Sequence, residues 1–550
     1  MLGEAPVLAR CSWMLAAIAL VACGETMSDP DGGPGDAGAT VDAAPRTDAG
    51  PIDGGPPPTG CDRLDGAIAP PEDDAGTLDP AAFPPARGPG APRATFTAAQ
   101  LGVQCGSMTF GPTDQLHHNT GFMLDGYLVR PWAHEHGAGG LAVLEVDDPC
   151  TPVMVANVLD EQIRETHSTG YSTIDGRWLA TASLSGVMFW DVSDITAPAR
   201  VFDLALPGVS YPDAYMRVIL SIAWQAPYLY AGGGDNGIFV IDATDPRAPR
   251  LVMQLDPEPA FRVGNVHVVG NLLIAMGAGN SRVAMYDVSL PEAPRPIPGG
   301  SFQISNGAVD RIGRPLSTAA YFGMVGGGRS YHARNGLGGG LAIYDITAPS
   351  SPRFLGNVDA PGGDGGYVFL HEGLAFVGLS DFGIVYDVTD PSAPREVRRV
   401  EFPGDLDTIT PIGNVMLVSV DDDAEDGHAT GIFPWAEAPD ARGPRVDWVV
   451  PGDGATRVAV TSRIGMTFDE FVAMESVWRG SVQVREVGTT TPIDAWYSGQ
   501  EGAINVWPRA PLRSDTTYEV IVPAGGVTDI SGNPTTADFR ATFTTESCGG

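Results

Sequence analysis

The sequence predicts an all-β protein, and three observations support this prediction. Glycine (71) and proline (48) make up 119 of the 550 residues, about 22% against a usual level of about 12%, which favours short strands joined by turns. One pattern, an apolar strand followed by an acidic residue and a proline-bounded turn, recurs through the middle of the chain. From Pro444 onward the repeat stops and a single run of alternating strands follows.

The charge balance restricts the classes of partner. The chain has 67 Asp+Glu against 32 Lys+Arg and a formal net charge of −35, and every basic residue is arginine. Binding to nucleic acid depends on basic patches that release counterions, so the composition argues against nucleic acid. The same argument disfavours an anionic bilayer surface as a ligand.

The first 22 residues are typical of a signal peptide. Arg10 precedes the apolar run 13–22, which is too short to span a bilayer. The run ends in Leu20-Val21-Ala22-Cys23, which resembles the lipobox of bacterial lipoproteins. The resemblance implies that Cys23 is acylated through its thiol and becomes the mature N-terminus. Gly24, where an Asp would be a retention signal, implies an outer-membrane location in a two-membrane cell; the alternative is an ordinary signal peptide with an incidental cysteine.

Residues 23–60 are almost entirely Gly, Pro, Ala, Asp and Thr and have no apolar periodicity, which predicts a disordered tether. Residues 61–104 form an N-terminal extension for which the sequence predicts no defined structure. We expect the repeats to occupy residues 105–443 and the final run of strands residues 444–546.

The repeat occurs seven times with a mean spacing of about 48 residues, the size of one β-propeller blade. The copies are LAVLEVDDPCTP, GVMFWDVSDITAP, GIFVIDATDPRAP, RVAMYDVSLPEAP, GLAIYDITAPSSP, FGIVYDVTDPSAP and the degenerate GIFPWAEAPDARGP. A second short strand precedes each copy, as in GYLVRP, GRWLATAS, PYLYAGG, GNLLIAMG, AAYFGMVG, GLAFVGL and GNVMLVSV. Seven such units can close into a ring that has no exposed sheet edge. The sequence therefore predicts a seven-bladed β-propeller, with an open β-solenoid as the rival.

Segments such as IYDVTDPSAPREV resemble the LVIVD repeat, which is named for its apolar strand ending in Asp. This resemblance implies a bacterial or archaeal surface propeller of unknown biochemical activity. We interpret the recurrent Asp structurally, because its carboxylate can accept amide hydrogens of the following turn.

The last segment has turns every 8–12 residues over about 100 residues, which suits an Ig-like sandwich. It resembles the bacterial Ig-like domain of S-layer proteins at Pro451-x-Asp453-Gly454, at Thr467-Phe468-Asp469-Glu470 and at Asp529-x-x-Gly532-Asn533-Pro534. The resemblance implies a spacer or surface module and carries over no catalytic residue.

Four cysteines remain after Cys11 and Cys23, and an even number in an exported chain indicates disulfides. Cys105–Cys150 is the favoured pair because both residues flank the first repeat.

Two groups of residues are weak candidates for a metal site. His134 and His136 form a His-x-His pair suited to Zn²⁺, and Asp421, Asp423 and Glu425 suit a loose Ca²⁺ site. Solvated loops are the alternative for both groups, and the predicted function requires no cofactor.

Propellers bind ligands at the mouth of the central channel, where the innermost strands begin. Counting back about nine residues from each short strand gives seven polar candidates, which form a basic arc and an acidic arc: His117, His167, Arg217, Arg262, Asp310, Asp364 and Asp405. Such a mouth would orient a polar ligand or a loop of a partner, although channel mouths are polar in any case.

These features favour a monomeric, lipid-anchored envelope protein whose propeller binds an unknown protein or glycan, with the Ig-like domain as a spacer. One alternative is a hydrolase or lyase at the channel mouth, although the chain contains no recognised nucleophile motif or phosphate-binding loop. The other is a purely structural envelope component.

Overall fold

The structure, a computed structural model, describes residues 60–63, 90–110, 120–134, 137–210, 216–335, 338–420, 430–500 and 502–548. All of them belong to one compact unit, Pro58–Gly550. The helices in this described part are three short 3₁₀ helices: Gly60–Arg63, Ala98–Gln100 and Met474–Ser476. None of the described helices is long and apolar enough to cross a membrane.

Seven antiparallel sheets form the blades of a β-propeller, each with strands a to d from the central channel outward. In the order of the chain, the first strands are β1 (Gly106–Met108), β2 (Phe122–Leu124), β3 (Tyr127–His134), β4 (Gly137–Glu145), β5 (Val153–Asp160), β6 (Gly170–Ser172), β7 (Trp178–Ala182), β8 (Gly186–Asp191), β9 (Ala199–Ala205), β10 (Ser221–Gln225), β11 (Tyr228–Gly232), β12 (Ile238–Asp242) and β13 (Arg250–Leu255). Blade 1 is β2–β5, blade 2 is β6–β9 and blade 3 is β10–β13.

The remaining blades follow the same plan with one insertion. Their strands are β14 (Val263–Val269), β15 (Leu272–Gly277), β16 (Arg282–Asp287), β17 (Arg295–Pro296), β18 (Phe302–Gln303), β19 (Ser305–Val309), β20 (Pro315–Ser317), β21 (Ala320–Gly326), β22 (Arg329–Arg334), β23 (Leu341–Asp345), β24 (Arg353–Val358), β25 (Val368–His371), β26 (Leu374–Gly378), β27 (Gly383–Asp387), β28 (Arg395–Val400), β29 (Leu406–Ile412), β30 (Val415–Val420) and β31 (Thr430–Pro434). Blade 4 is β14–β18, blade 5 is β21–β24, blade 6 is β25–β28, and β19–β20 is a separate hairpin between blades 4 and 5.

Blade 7 is completed by the N-terminal part of the chain. Strands β29–β31 supply its first three strands, and β1 pairs antiparallel with β31 as the outermost strand, with Gly106 opposite Ile432. A disulfide joins Cys105, directly before β1, to Cys150 in the c–d turn of blade 1. The pairing and the disulfide therefore tie the first and last blades together, and the disulfide is the pair that the sequence favours.

Strands a to c of the blades are largely buried because neighbouring blades pack against both of their faces. Strands β7, β12 and β15 are buried throughout, whereas outer strands such as β5 and β28 are largely exposed. Burial on both faces explains why the repeat reads as a continuous apolar run rather than an alternation.

The recurrent Asp has the structural role that the sequence predicts. At the end of strand c, the carboxylate of Asp387 accepts hydrogen bonds from the Thr389 amide at 3.0 Å and the Thr389 hydroxyl at 2.6 Å. These bonds, together with an ion pair to Arg395, lower the pKa of Asp387 to about 2. Equivalent carboxylate–amide bonds are formed by four other repeats: Asp191–Ser193, Asp242–Thr244, Asp287–Ser289 and Asp345–Thr347.

The C-terminal segment is a two-sheet Ig-like sandwich. Its strands are β32 (Val446–Val450), β33 (Ala455–Val458), β34 (Ile464–Phe468), β35 (Gln483–Glu486), β36 (Ala495–Gln500), β37 (Ala503–Pro508), β38 (Thr517–Val522) and β39 (Phe539–Thr545). One sheet has the order β32-β34-β37-β36 and the other β33-β39-β38-β35. A disulfide between Cys61 and Cys548 joins the first described residues of the chain to the end of this domain.

Candidate functional site

The propeller has two different ends, because the strands of each blade are antiparallel. The a–b and c–d turns lie at one end, and the b–c and d–a connections lie at the other. The Ig-like domain packs against the a–b turns, so we name that end the Ig face and the opposite end the distal face. The domain packs on the propeller through these turns, and the spacer role that the sequence predicts for it stays a prediction.

The sheet of the Ig-like domain continues directly into blade 2. Strand β36 pairs with β6, the innermost strand of that blade, with Ser498 opposite Ser172 and Gly499 opposite Tyr171. The combined sheet therefore has eight strands that run from the sandwich to the rim of the propeller. This pairing joins one sheet edge of each domain. Without it, both edges would expose unpaired backbone groups.

Asn505 of β37 connects the Ig-like domain to blades 3 and 4. Its side-chain oxygen accepts hydrogen bonds from the Gly270 amide at 2.8 Å and the Gln225 side chain at 3.1 Å. Its side-chain nitrogen donates to the Val268 carbonyl at 2.9 Å. Asn505 is only 2% exposed, so these bonds satisfy polar groups that water does not reach.

Close packing at the same contact requires glycine. A Cβ atom on Gly465 would lie 1.9 Å from the amide nitrogen of Gly270. Gly270 itself has a φ of +57°, a conformation that side chains disfavour. The turn of blade 4 and strand β34 can therefore approach only because both positions lack a side chain.

His167 is the predicted channel-mouth residue that the structure buries most deeply. It precedes β6 in blade 2, is 2% exposed, and its ring is bonded to the carboxylate of Glu165. Across the ring from blade 2, Phe322 of blade 5 and Tyr367 of blade 6 contact the imidazole edge-on, with centroid distances of 4.8 and 5.1 Å. His167 therefore belongs to a packed plug inside the channel, and its predicted exposure at a wet mouth is wrong.

Arg217 and Arg262 lie in the d–a connections on the distal face. Arg217 is exposed, and Arg262 forms an ion pair with Asp235 at 3.1 Å while its side chain remains 33% exposed. Asp364 and Asp405 occupy the corresponding connections before blades 6 and 7 and are half-buried. The Asp364 carboxylate accepts a hydrogen bond from the Gly365 amide at 3.1 Å. The ligand-binding role of these four residues stays a prediction.

Asp310 is not at the channel mouth. It lies in the exposed β19–β20 hairpin, where its carboxylate accepts hydrogen bonds from the backbone amide and side chain of Arg314, both at 2.9 Å. The error comes from AAYFGMVG, which is the innermost strand β21 and not the second strand of blade 5. Counting back from it passes the start of the blade and enters the inserted hairpin.

Several predicted residues lie outside the described part of the structure. These are the lipidation candidate Cys23, the channel-mouth candidate His117 and the metal candidates His136, Asp421, Asp423 and Glu425. Only the backbone of His134 is described, at the end of β3. The lipidation and metal-binding roles of these residues stay predictions.

Among the described residues, one group of side chains could hold a metal ion: His371, Asp440 and Glu470. Burial and the neighbouring carboxylates of Asp440 and Asp529 raise the pKa of Glu470 to about 10. Burial also lowers the pKa of His371. No sequence pattern identifies this group, because its members are far apart in the chain.

Comparison with known protein families identifies both the repeat and the C-terminal domain. The LVIVD repeat family matches residues 221–256 and 336–360, and the bacterial Ig-like domain family matches residues 440–545. The chain therefore carries LVIVD repeats and a C-terminal bacterial Ig-like domain. No curated protein matches the sequence.

Solved structures with a similar arrangement include propellers of low sequence identity. The β-propeller domain of Myceliophteria thermophila Cps50 (Swd1) is 11% identical with a TM-score of 0.41, covering 60% of this chain and 99% of that one. PorZ of Porphyromonas gingivalis, a surface component of the type-IX secretion system, is 10% identical with a TM-score of 0.42, covering 79% of this chain and 60% of that one. At these scores neither likeness supports a functional inference.

We predict that His167 stabilises the fold and that Arg217 does not. His167→Ala should lower the free energy of unfolding by about 2–4 kcal/mol, because it leaves a cavity among the aromatic rings and removes the partner of Glu165. Arg217→Ala should change it by less than about 0.5 kcal/mol, because the side chain is exposed. Urea denaturation of the purified variants measures both values; equally small effects would show that His167 is solvated.

We also predict that contact between the domains weakens as pH rises. Burial, followed by repulsion from Asp125, raises the pKa of Glu475 to about 7 from its ordinary 4.5. The folded state therefore retains a proton on Glu475 that the unfolded state has lost, so this residue alone should lower the unfolding free energy between pH 4.5 and 7, by at most about 1.4 kcal/mol per pH unit. Glu475→Gln should make this part of the stability–pH profile less steep, whereas Glu437→Gln, at an exposed position, should leave it unchanged. An unchanged profile in Glu475→Gln would contradict the prediction.

Proposed function

We propose that the protein is a lipid-anchored envelope component that presents the distal face of its propeller to a protein ligand. Among the described residues, the Ig-like domain packs over the a–b turns and the plug around His167 fills part of the channel, so the distal face is the end of the propeller left open for recognition. The observation that carries this proposal is the placement of the Ig-like domain over the a–b turns.

The disulfide between Cys61 and Cys548 supports the orientation. It fixes the point at which the N-terminal residues join the folded unit, and this point lies on the Ig-like domain. Gly60 is packed beside Val460 and Glu546 of that domain. A chain held at Cys23 by lipid would therefore have its attachment on the Ig side of the folded unit, which leaves the distal face accessible.

The exposed residues in the d–a connections favour a protein over a glycan. Met216, which precedes blade 3, is 44% exposed, and Val309 and Ile312 of the β19–β20 hairpin are 57% and 68% exposed. Arg217 is adjacent to Met216. Exposed apolar residues beside arginine are typical of protein-binding surfaces. Among the described residues, the large exposed apolar side chains are all aliphatic or Met, so stacking of a sugar on an aromatic ring has no support from them.

The two alternatives make different demands on the structure. A hydrolase or lyase that uses His167 would require substrate to enter the plug of Phe322, Tyr367 and Glu165, in which the imidazole is enclosed. A purely structural envelope component would need no partner on the distal face, and the following experiment separates it from the proposal.

We expect photo-crosslinking in intact cells to detect the ligand at the distal face. A crosslinking amino acid placed at Met216 or Ile312 of the full chain should give a discrete protein adduct. The same amino acid at Val487, which is 54% exposed on the Ig-like domain, is the matched control and should give none. The adduct formed at Met216 should disappear when Ile312 is replaced by Asp. Adducts of equal intensity at all three positions, or at none, would overturn the proposed binding role.

The anchor is tested separately. Cys23→Ser should leave the precursor uncleaved at this site and shift the full chain from the membrane fraction to the soluble fraction, because stable anchoring requires the acyl chains. Fractionation followed by immunoblotting measures the distribution, with Cys11→Ser as the matched control. Unchanged membrane retention of Cys23→Ser would contradict lipid anchoring.

A further inference from the structure

Three segments of the chain meet beside the a–b turn of blade 6. His371 is the last residue of β25, Asp440 lies in the connection between the propeller and the Ig-like domain, and Glu470 follows β34. One ligand atom from each residue lies within 4.8 Å of the other two. The Nδ1 atom of His371 is 3.9 Å from a carboxylate oxygen of Glu470.

The side chains of His371 and Glu470 are almost fully buried, at 7% and 1% exposure. Within the described part of the structure, His371 Nε2 has no hydrogen-bond partner, and Glu470 Oε1 has none apart from the carboxyl group of Asp440. A buried polar atom without a partner costs free energy, so such atoms indicate a missing partner. Both residues are also members of the group that surrounds the same point.

Arg442 is the nearest cation, but its guanidinium group bonds to other carboxylates. Its guanidinium bonds to Glu372 and, at 2.9 Å, to Asp469, whereas its closest approach to Glu470 Oε1 is 4.0 Å. A distance of 4.0 Å is too long for a hydrogen bond. Arg442 therefore bonds to carboxylates at the rim of the cluster and donates no hydrogen bond to Glu470.

A further carboxylate faces the same group. Asp529 is 1% exposed, and its carboxyl group contacts that of Asp440. Asn533 holds the Asp529 carboxylate in place through its amide at 2.7 Å and its side chain at 2.8 Å. The Asn533 side chain also donates to the Asp440 carbonyl at 3.1 Å. The ligand group is thus supported by hydrogen bonds from outside it, as metal sites require.

We propose that His371, Asp440 and Glu470 bind a divalent transition-metal ion of the zinc class, with Asp529 as an adjacent carboxylate. An imidazole nitrogen combined with carboxylate oxygens is a donor set that Zn²⁺ accepts, whereas Ca²⁺ prefers oxygen ligands throughout. The ion would join blade 6, the interdomain connection and the Ig-like domain at one point. Its role would be to fasten the Ig-like domain to the propeller.

The test combines metal analysis with thermal unfolding of the full chain. The chain isolated without chelator should contain about one zinc per molecule, and a strong chelator should remove it. Adding ZnCl₂ to the chelated chain should raise Tm by about 2–5 °C at concentrations well above Kd. CaCl₂ should have no such effect. Absence of zinc binding, or a Tm that rises with Ca²⁺ alone, would overturn the proposal.

Glu470→Gln distinguishes a metal ligand from a buried carboxyl group without one. If Glu470 is a metal ligand, its replacement removes zinc binding, and the zinc-dependent rise in Tm is lost. Without a metal, removing one of several crowded carboxyl groups should leave Tm unchanged or raise it. Because the variant is isosteric and uncharged, we expect it to fold in the presence of chelator, and its Tm there provides the reference.

Glu475→Gln is the matched control. Glu475 is also a buried interdomain carboxyl group with a raised pKa, but it lies near Asp125 and Arg177 and outside the ligand group. This variant should retain one zinc and the full zinc-dependent rise in Tm. Loss of zinc in both variants, or retention in both, would show that Glu470 is not a ligand.

Discussion

The a–b turns of the propeller depend on the Ig-like domain for their hydrogen bonds. Backbone amides in the turns of blades 3 to 6 donate to Ser498, Asn505, Thr467 and Asp469 of that domain, and blade 2 shares a continuous sheet with it. Buried backbone groups that lose such partners destabilise a fold by about 1–3 kcal/mol each. The propeller and the sandwich therefore form one structural unit, even though their sequences match two separate families.

Local patterns predict the blades well because each blade is determined by neighbours in sequence. Strand β27 ends at Asp387, and the turn residue Thr389 that bonds to it is only two residues further on, so spacing alone identifies this unit. The same method fails in blade 5, where AAYFGMVG forms strand β21. This is strand a, the innermost strand of the blade, and its apolar sequence is similar to that of a strand b. The inserted β19–β20 hairpin then moves the expected mouth residue to Asp310. Periodicity specifies a strand but not its position in the blade.

Contacts between distant segments could not be predicted in this way. Asn505 and Gln225 are 280 residues apart, and nothing in either segment indicates the other. One signal was present: the hairpin β36–β37 carries Ser498, Gln500 and Asn505 within strands that are otherwise apolar. Polar side chains in a buried strand require partners, so they indicate an interface. Likewise, whether His167 lies inside the channel or at its mouth depends on Phe322 and Tyr367, which only the closed ring brings near.

The two disulfides determine how load would pass through a chain held at its N-terminus. Strand β1 is only three residues long, and tension applied directly to it would peel it from β31 and open the ring. Cys61–Cys548 lies upstream of β1 and transfers that tension to the Ig-like domain. Cys105–Cys150 fixes the start of β1 to blade 1. The short pairing of β1 with β31 is therefore flanked on its N-terminal side by one disulfide to the Ig-like domain and by another to blade 1, so tension on the N-terminal residues reaches these covalent bonds before it reaches the pairing that closes blade 7.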